Sequence, residues 1–326
     1  GKNHVRILIT GVSGFVGQHL AQHLHTTYPD AEIHGTTRRT DADLTAIPFV
    51  IPHVIDLRDP DKTSALVREV QPQQVYHLAA QAFVPRSFEA PWETIENNVR
   101  SQLNLTLACI ELDPMPRVLA ISSAEIYGIV GPESIPMHEG LPPRPTSPYS
   151  VSKVTQDMLA SQYSGSHDLP IMTARPFNHF GPGQNARFVA PAFAMQVARI
   201  EAGLQPPAIE VGDLSAKRDF TDVRDIVAAY RMLMESGEPG QTYNVASSKA
   251  ESIQHLLDTL LGFVDIDIKV HIDRSHLRPV KIPILLGDAT RLRERTGWQP
   301  QYTFEQSLLD VLNDCRQRVK ELNVTE

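Results

Sequence analysis

The chain has only two cysteines among its 326 residues, Cys109 and Cys315, too few for a disulfide framework or a thiolate zinc site. It has no run of eighteen apolar residues, so no membrane-spanning helix is expected, and no export signal is visible. An excess of basic charge is also missing: 30 Lys and Arg against 38 Asp and Glu give a net charge of −8, which argues against nucleic acid as a partner. The thirteen histidines show no HExxH or similar ligand spacing, so no catalytic metal is expected. What remains is a chain with 41% apolar and 21% charged residues, long enough to bury a full core without staples. A cytoplasmic globular protein is the expectation.

Apolar strands alternate with helical segments through the first half. Strands are expected at residues 5–10, 32–37, 50–55, 74–78, 118–123 and 171–175, with helices at 15–24, 60–70, 92–112 and 148–163. That alternation specifies an α/β fold, a parallel sheet with helices on both faces and ligands at the carboxyl ends of its strands. After Arg175 the character changes. Residues 176–184 read as a loop, 188–201 and 223–234 as helices, 242–245 as a late strand, 253–261 as a helix and 266–272 as a strand. The expected division is a dinucleotide domain of residues 1–175 with 217–246, and a smaller mixed α/β substrate domain of residues 176–216 with 247–326.

Gly11-Val12-Ser13-Gly14-Phe15-Val16-Gly17 follows the first strand and opens the first helix, the Rossmann-like setting for a pyrophosphate. Gly11 suits the tight turn, Gly14 the approach of a phosphate and Gly17 close helix–strand packing. Where an NAD-binding chain carries an acid, the second strand ends here in Thr36-Thr37-Arg38-Arg39. Paired guanidiniums suit a 2′-phosphate, so NADPH is the expected cofactor, with NAD left open. Asp56-Leu57 lies where an adenine edge could bind, and Leu78, Ala79 and Ala80 should flank the cofactor at the end of the fourth strand.

Tyr149 and Lys153 are one turn apart on a single helix face, and Ser123 ends the preceding strand. An ammonium beside a phenol favours phenolate and is expected to lower its pKa. Ser123 could hold a carbonyl oxygen while Tyr149 protonates it.

The glycine loop, the Ser123–Tyr149–Lys153 set and Ala174-Arg175-Pro176-Phe177-Asn178 resemble the extended short-chain dehydrogenases/reductases along essentially the whole chain. Within that superfamily the segments at 174–184, 210–213 and 218–223 are most similar to the GDP-6-deoxy-D-mannose reductases, which reduce GDP-4-keto-6-deoxy-D-mannose to GDP-D-rhamnose. The resemblance implies a GDP-linked 4-keto-6-deoxy hexose as substrate. It also implies a homodimer joined by a four-helix bundle, two helices per subunit, around residues 98–112 and 148–163. Substrate contacts are then expected from Asn178, Arg187, Phe188, Val189, Arg218 and Arg278. The related 4,6-dehydratases carry a polar residue before the glutamate that ends this strand; here Ala124 stands before Glu125. Glu125 is either a base next to a ketone or a polar orienter. The rival readings are a GDP-mannose 4,6-dehydratase, a 4-epimerase of nucleotide sugars, and a non-catalytic nucleotide-binding scaffold or redox sensor.

Overall fold

The computed structural model describes residues 4–276 and 281–324. Thirteen strands are present among them: β1 (Arg6–Thr10), β2 (Glu32–Thr37), β3 (Ile51–Val54), β4 (Gln74–His77), β5 (Arg117–Ile121), β6 (Ile171–Pro176), β7 (Asn178–Phe180), β8 (Ala208–Val211), β9 (Lys217–Asp222), β10 (Thr242–Val245), β11 (Ala250–Ser252), β12 (Lys269–Ile272) and β13 (Ile284–Leu285). Seven of them form an all-parallel sheet in the order β10-β6-β5-β4-β1-β2-β3. Alternate side chains of each strand enter opposite cores, as a two-sided sheet requires. Ile7, Ile9 and Tyr76 join Tyr230, Tyr243 and Trp298 on one face. Leu8, Val75 and Val118 meet Leu105, Cys109 and Ala160 on the other. The strand order reverses between β1 and β4, and that reversal opens the crevice where α/β sheets bind ligands.

The smaller second assembly is built on β9, which pairs with β7 and β13 in parallel and with β11 antiparallel. Strands β8 and β12 form a separate parallel pair. Phe180, Phe193, Phe220, Leu256 and Leu312 make its core. Two segments cross the division expected from sequence. Residues 217–222 pair in the smaller sheet, because β9 is bonded to β7, β11 and β13 and to no strand of the larger sheet. Ile282, Leu285, Leu292 and Trp298 instead bury against the larger core.

Other elements also depart from expectation. The 92–112 segment is not one regular helix: Pro91–Ile95 and Ser101–Ile110 are joined by a π-helical turn, Glu96–Arg100. A 3.6-residue periodicity cannot register one inserted residue. The strand β7 lies inside the expected loop at 176–184, and the expected 266–272 strand shortens to β12. The long helix Phe304–Val324 is an addition to the expected elements, although Leu308, Val311, Leu312, Cys315 and Val319 recur at helical spacing and are buried. Both cysteines are buried and unpaired. Among the described residues no helix is long and apolar enough to cross a membrane, and no group of three or more His, Cys, Asp or Glu could hold a metal ion.

Candidate active site

Gly11 has φ +64°, and a Cβ there would lie 2.9 Å from the Cα of Ala79. Only glycine fits at this meeting of the β1 and β4 ends. At Gly17 a Cβ would sit 2.4 Å from the carbonyl oxygen of Gly11 and 2.8 Å from the Cα of Val12. Gly14 caps the helix Phe15–Thr27 with no side-chain cap and no acid in the first turn. Its backbone is exposed, and a Cβ would crowd the oxygen of Gly11 at 3.3 Å. Uncapped N–H groups and the positive end of the helix dipole therefore face the crevice, and they fit a dinucleotide diphosphate. Ser13, Phe15 and Val16 are partly accessible along the same loop. Gly17→Ala is expected to cost about 1–3 kcal/mol, because both obstructing atoms are backbone. Urea unfolding checks this, and an unchanged midpoint would contradict the close packing.

The β4 end is fastened to β1. Thr10 Oγ1 accepts the N–H groups of Leu78 and Ala79 at 3.0 and 3.1 Å, and lies 2.7 Å from His77 Nδ1. With both N–H donors directed at it, the threonine gives its own proton to Nδ1, which fixes the tautomer of the buried His77. Leu78, Ala79 and Ala80 stay half-buried beside the glycine loop.

The two arginines after β2 diverge. Arg38 Nη1 donates to Asn97 Oδ1 at 3.2 Å and Nη2 lies 3.9 Å from Asp56. Arg39 closes instead on Asp41 in two 3.0 Å bonds. Of the two guanidiniums expected to face a phosphate, the second is paired here with the exposed carboxylate two residues on. Asp56 is clasped by Arg58, whose hydrogen bonds hold its carboxyl down at about 2. Leu57 is buried, and its carbonyl accepts from Asn104 at 2.9 Å.

The candidate catalytic side chains lie near the carboxyl end of β5. A capping box at Ser147 and Ser150 starts the helix Pro148–His167, which carries Tyr149 and Lys153. Ser123 Oγ accepts the Glu125 N–H at 3.1 Å, and Ser123 acts on the Tyr149 phenol to lower its pKa. Lys153 Nζ donates to the Ile121 carbonyl at 3.1 Å and lies 5.9 Å from the Tyr149 ring centroid. The expected lowering of the phenol pKa by this ammonium is reversed. Burial pushes Tyr149 up to about 12, with Ser123 offsetting part of the rise and the Glu125 charge adding to it. Burial also brings Lys153 down to about 7. Both groups are buried, and desolvation is the largest effect on each. The phenol is held protonated, ready to act as an acid. Ala124 is buried in the main core, between Ser123 and the half-buried Glu125.

Positioning side chains absent from the sequence reading support this set. Asn98, in the π turn, accepts from the N–H of Gln81 at 2.8 Å and donates to Ser152 Oγ at 3.0 Å. Ser152 in turn donates to the Tyr149 carbonyl at 2.6 Å. Arg175 forms a buried bidentate pair with Asp157, at 2.7 and 3.1 Å, and donates to the Tyr127 hydroxyl at 3.1 Å. The catalytic helix is thus bolted to β6 and to the turn after β5. No sequence spacing announces these contacts, which join segments some 17 to 54 residues apart.

The loop after β6 closes over the nucleotide helix. His179 stacks on Phe15 at 6.3 Å, and His19 Nε2 lies 2.7 Å from the Pro182 carbonyl oxygen. Asn178 is half-buried on β7. Phe188 is the N-cap of the helix Val189–Glu201, with no side-chain cap. Arg187 does not stand free: its guanidinium lies 4.7 Å from the Phe83 ring centroid and 5.6 Å from that of Phe188. Arg218 Nη1 donates to the Lys217 carbonyl at 2.8 Å. Arg278 lies outside the described residues.

Residues 8–311 match the family model described as GDP-mannose 4,6 dehydratase. The chain belongs to the GDP-mannose 4,6 dehydratase family. This family member is 37% identical over 316 residues to the GDP-6-deoxy-D-mannose reductase of Pseudomonas aeruginosa, covering 97% of this chain and 99% of the other. It is 27% identical to human GDP-mannose 4,6 dehydratase, over 96% of this chain and 92% of that one. Among solved structures it matches RMD from Pseudomonas aeruginosa complexed with NADPH, at a TM-score of 0.83 and 36% identity over 96% and 99% of the two chains. It also matches the Thermus thermophilus UDP-glucose 4-epimerase complexed with NAD, at a TM-score of 0.85 and 27% identity over 96% and 99%. The GDP-mannose 4,6 dehydratase family therefore places it among extended short-chain dehydrogenases/reductases, with the α/β parallel-sheet fold expected from its sequence.

Proposed function

We propose that this protein reduces the C4 keto group of GDP-4-keto-6-deoxy-D-mannose with NADPH, giving GDP-D-rhamnose. The observation that carries this reading is Ser123 at the carboxyl end of β5, close enough to lower the pKa of the buried Tyr149 phenol, followed by the buried methyl of Ala124. Full-length similarity to a protein named GDP-6-deoxy-D-mannose reductase supports it.

The exposed backbone at Gly14 and the uncapped helix behind it would hold the diphosphate, with Arg38 at the adenosine end. When bound, NADPH supplies the hydride that C4 receives. Ser123 and Tyr149 converge on the ketone oxygen, and Tyr149 delivers the proton that completes the alcohol. Lys153 then faces a phenolate, which its ammonium stabilises. Asn178, the uncapped N-terminus at Phe188 and Val189, and the two arginines Arg187 and Arg218 would receive the nucleotide diphosphate in the smaller half; for the arginines this requires release from their present partners. Arg278 belongs to the same proposal.

Glu125 favours a second reading, elimination of water from GDP-mannose, since a carboxylate there could remove a proton next to a ketone. Ala124 weighs against it: no proton can pass through a methyl group. The test is to supply the two substrates separately. Stoichiometric NADPH oxidation by the 4-keto compound, with no 4-keto product from GDP-mannose, is the expected result. Accumulation of that product without added NADPH would replace reduction by elimination.

A homodimer through a four-helix bundle completes the proposal. Leu107, Val151 and Met158 are exposed on the two helical segments concerned, and Val151 and Met158 lie two turns apart on one face. Sedimentation at micromolar concentration should give twice the chain mass. Two unpaired cysteines and consumption of NADPH suit the reducing cytoplasm.

A further inference from the structure

One carboxylate and two guanidiniums meet beyond the ends of β2 and β3. Arg58 grips Asp56 through Nε, 3.0 and 3.1 Å from the two oxygens, and through Nη2 at 2.7 Å. Its backbone N–H also donates to Asp56 Oδ1 at 3.0 Å. Arg38 approaches the same carboxylate but stops 3.9 Å away, held by Asn97. Glu93 and Glu96 face Arg58 from the neighbouring helical segment, and each is already paired, with Arg86 at 2.8 Å and Arg100 at 3.1 Å. The local set of Arg38, Arg58 and Asp56 therefore carries one net positive charge.

In dinucleotide folds a guanidinium near the end of the second strand receives the 2′-phosphate of NADP. An uncompensated carboxylate beside it would repel that dianion and would also draw Arg38 onto itself. We infer that Arg58 is a specificity-determining residue for NADPH: by chelating Asp56 it cancels the repulsive charge and leaves Arg38, one of the two arginines expected there from the sequence, available to the 2′-phosphate. This rests on the NADPH reading given above. Asp56 then keeps its place at the adenine edge without opposing the phosphate. Arg39, committed to Asp41, has no comparable part.

Calorimetric titration of NADPH and NADH into the unaltered protein and its variants tests this. R58Q is expected to weaken NADPH about tenfold and NADH less than about threefold, because the charge it uncovers acts at short range on the 2′-phosphate. R58K, which keeps the charge, should hold NADPH within about threefold. R39Q should weaken NADPH by less than about threefold, since its guanidinium is exposed and paired elsewhere. Adding D56N to R58Q should bring NADPH back to within about threefold of the unaltered protein, because the repelling charge is gone. Equal weakening of both cofactors by R58Q, a loss in R39Q as large as in R58Q, or no recovery in the double variant would overturn the inference alone. If the unaltered protein binds NADH as tightly as NADPH, the cofactor reading itself fails.

Discussion

A Tyr149→Phe protein is expected to reduce the 4-keto sugar nucleotide about 10²–10⁴-fold more slowly, the range that a positioned general acid supplies. NADPH affinity should stay nearly unchanged, since the glycine loop and the β4 end do not involve the phenol. The ring remains buried and only the hydroxyl is lost. The effect should therefore fall on kcat, not on KM for the cofactor. Single-turnover rates with preloaded NADPH read it directly. A rate near that of the unaltered protein would move the proton source to Ser123 or Glu125 and remove the proposed acid.

Lys153→Met should have two opposed consequences. Turnover falls steeply because no ammonium remains to stabilise the phenolate. Stability at neutral pH rises, because a lysine buried so deeply is charged only at a cost. Its pKa drops from an ordinary 10.5 to about 7. At about 1.4 kcal/mol per unit, less the hydrogen bond to Ile121, the variant should gain roughly 2–4 kcal/mol. The sign follows from the unfolded chain binding the extra proton between the two values. The penalty is full below pH 7, declines as pH rises, and vanishes above 10.5, so the variant's advantage follows the same course. Denaturant melts at pH 6, 8 and 10 check this, and an advantage that did not shrink with pH would refute the buried-ammonium account. In the unaltered enzyme kcat should decline as pH rises through about 7, where Lys153 gives up its charge.

Much of this was legible before folding. Short β-rich runs closed by glycine or hydroxyl residues locate β1, β2, β4, β5 and β6 to within two residues, since local hydrophobic runs and breakers are enough. The three glycines of the nucleotide loop carry their own steric reasons. Tyr149 and Lys153 share a helix face by arithmetic alone. Where local rules compete with long-range partners, the reading drifts. The π turn at Glu96–Arg100 exists because Asn98 must reach both Gln81 and Ser152. Residues 217–222, assigned from sequence to the dinucleotide domain, form the strand β9 of the smaller sheet, whose partners lie far off in the chain.

From its order of residues alone, the chain dictates a parallel sheet, a diphosphate-binding turn and a serine–tyrosine–lysine set, because those depend on periodicities and spacings only a few residues long. Which carboxylate each arginine meets, whether the buried phenol keeps its proton and how far the lysine is desolvated were decided by packing. Charge and burial are sums over neighbours that come from distant parts of the chain, and no local spacing contains them.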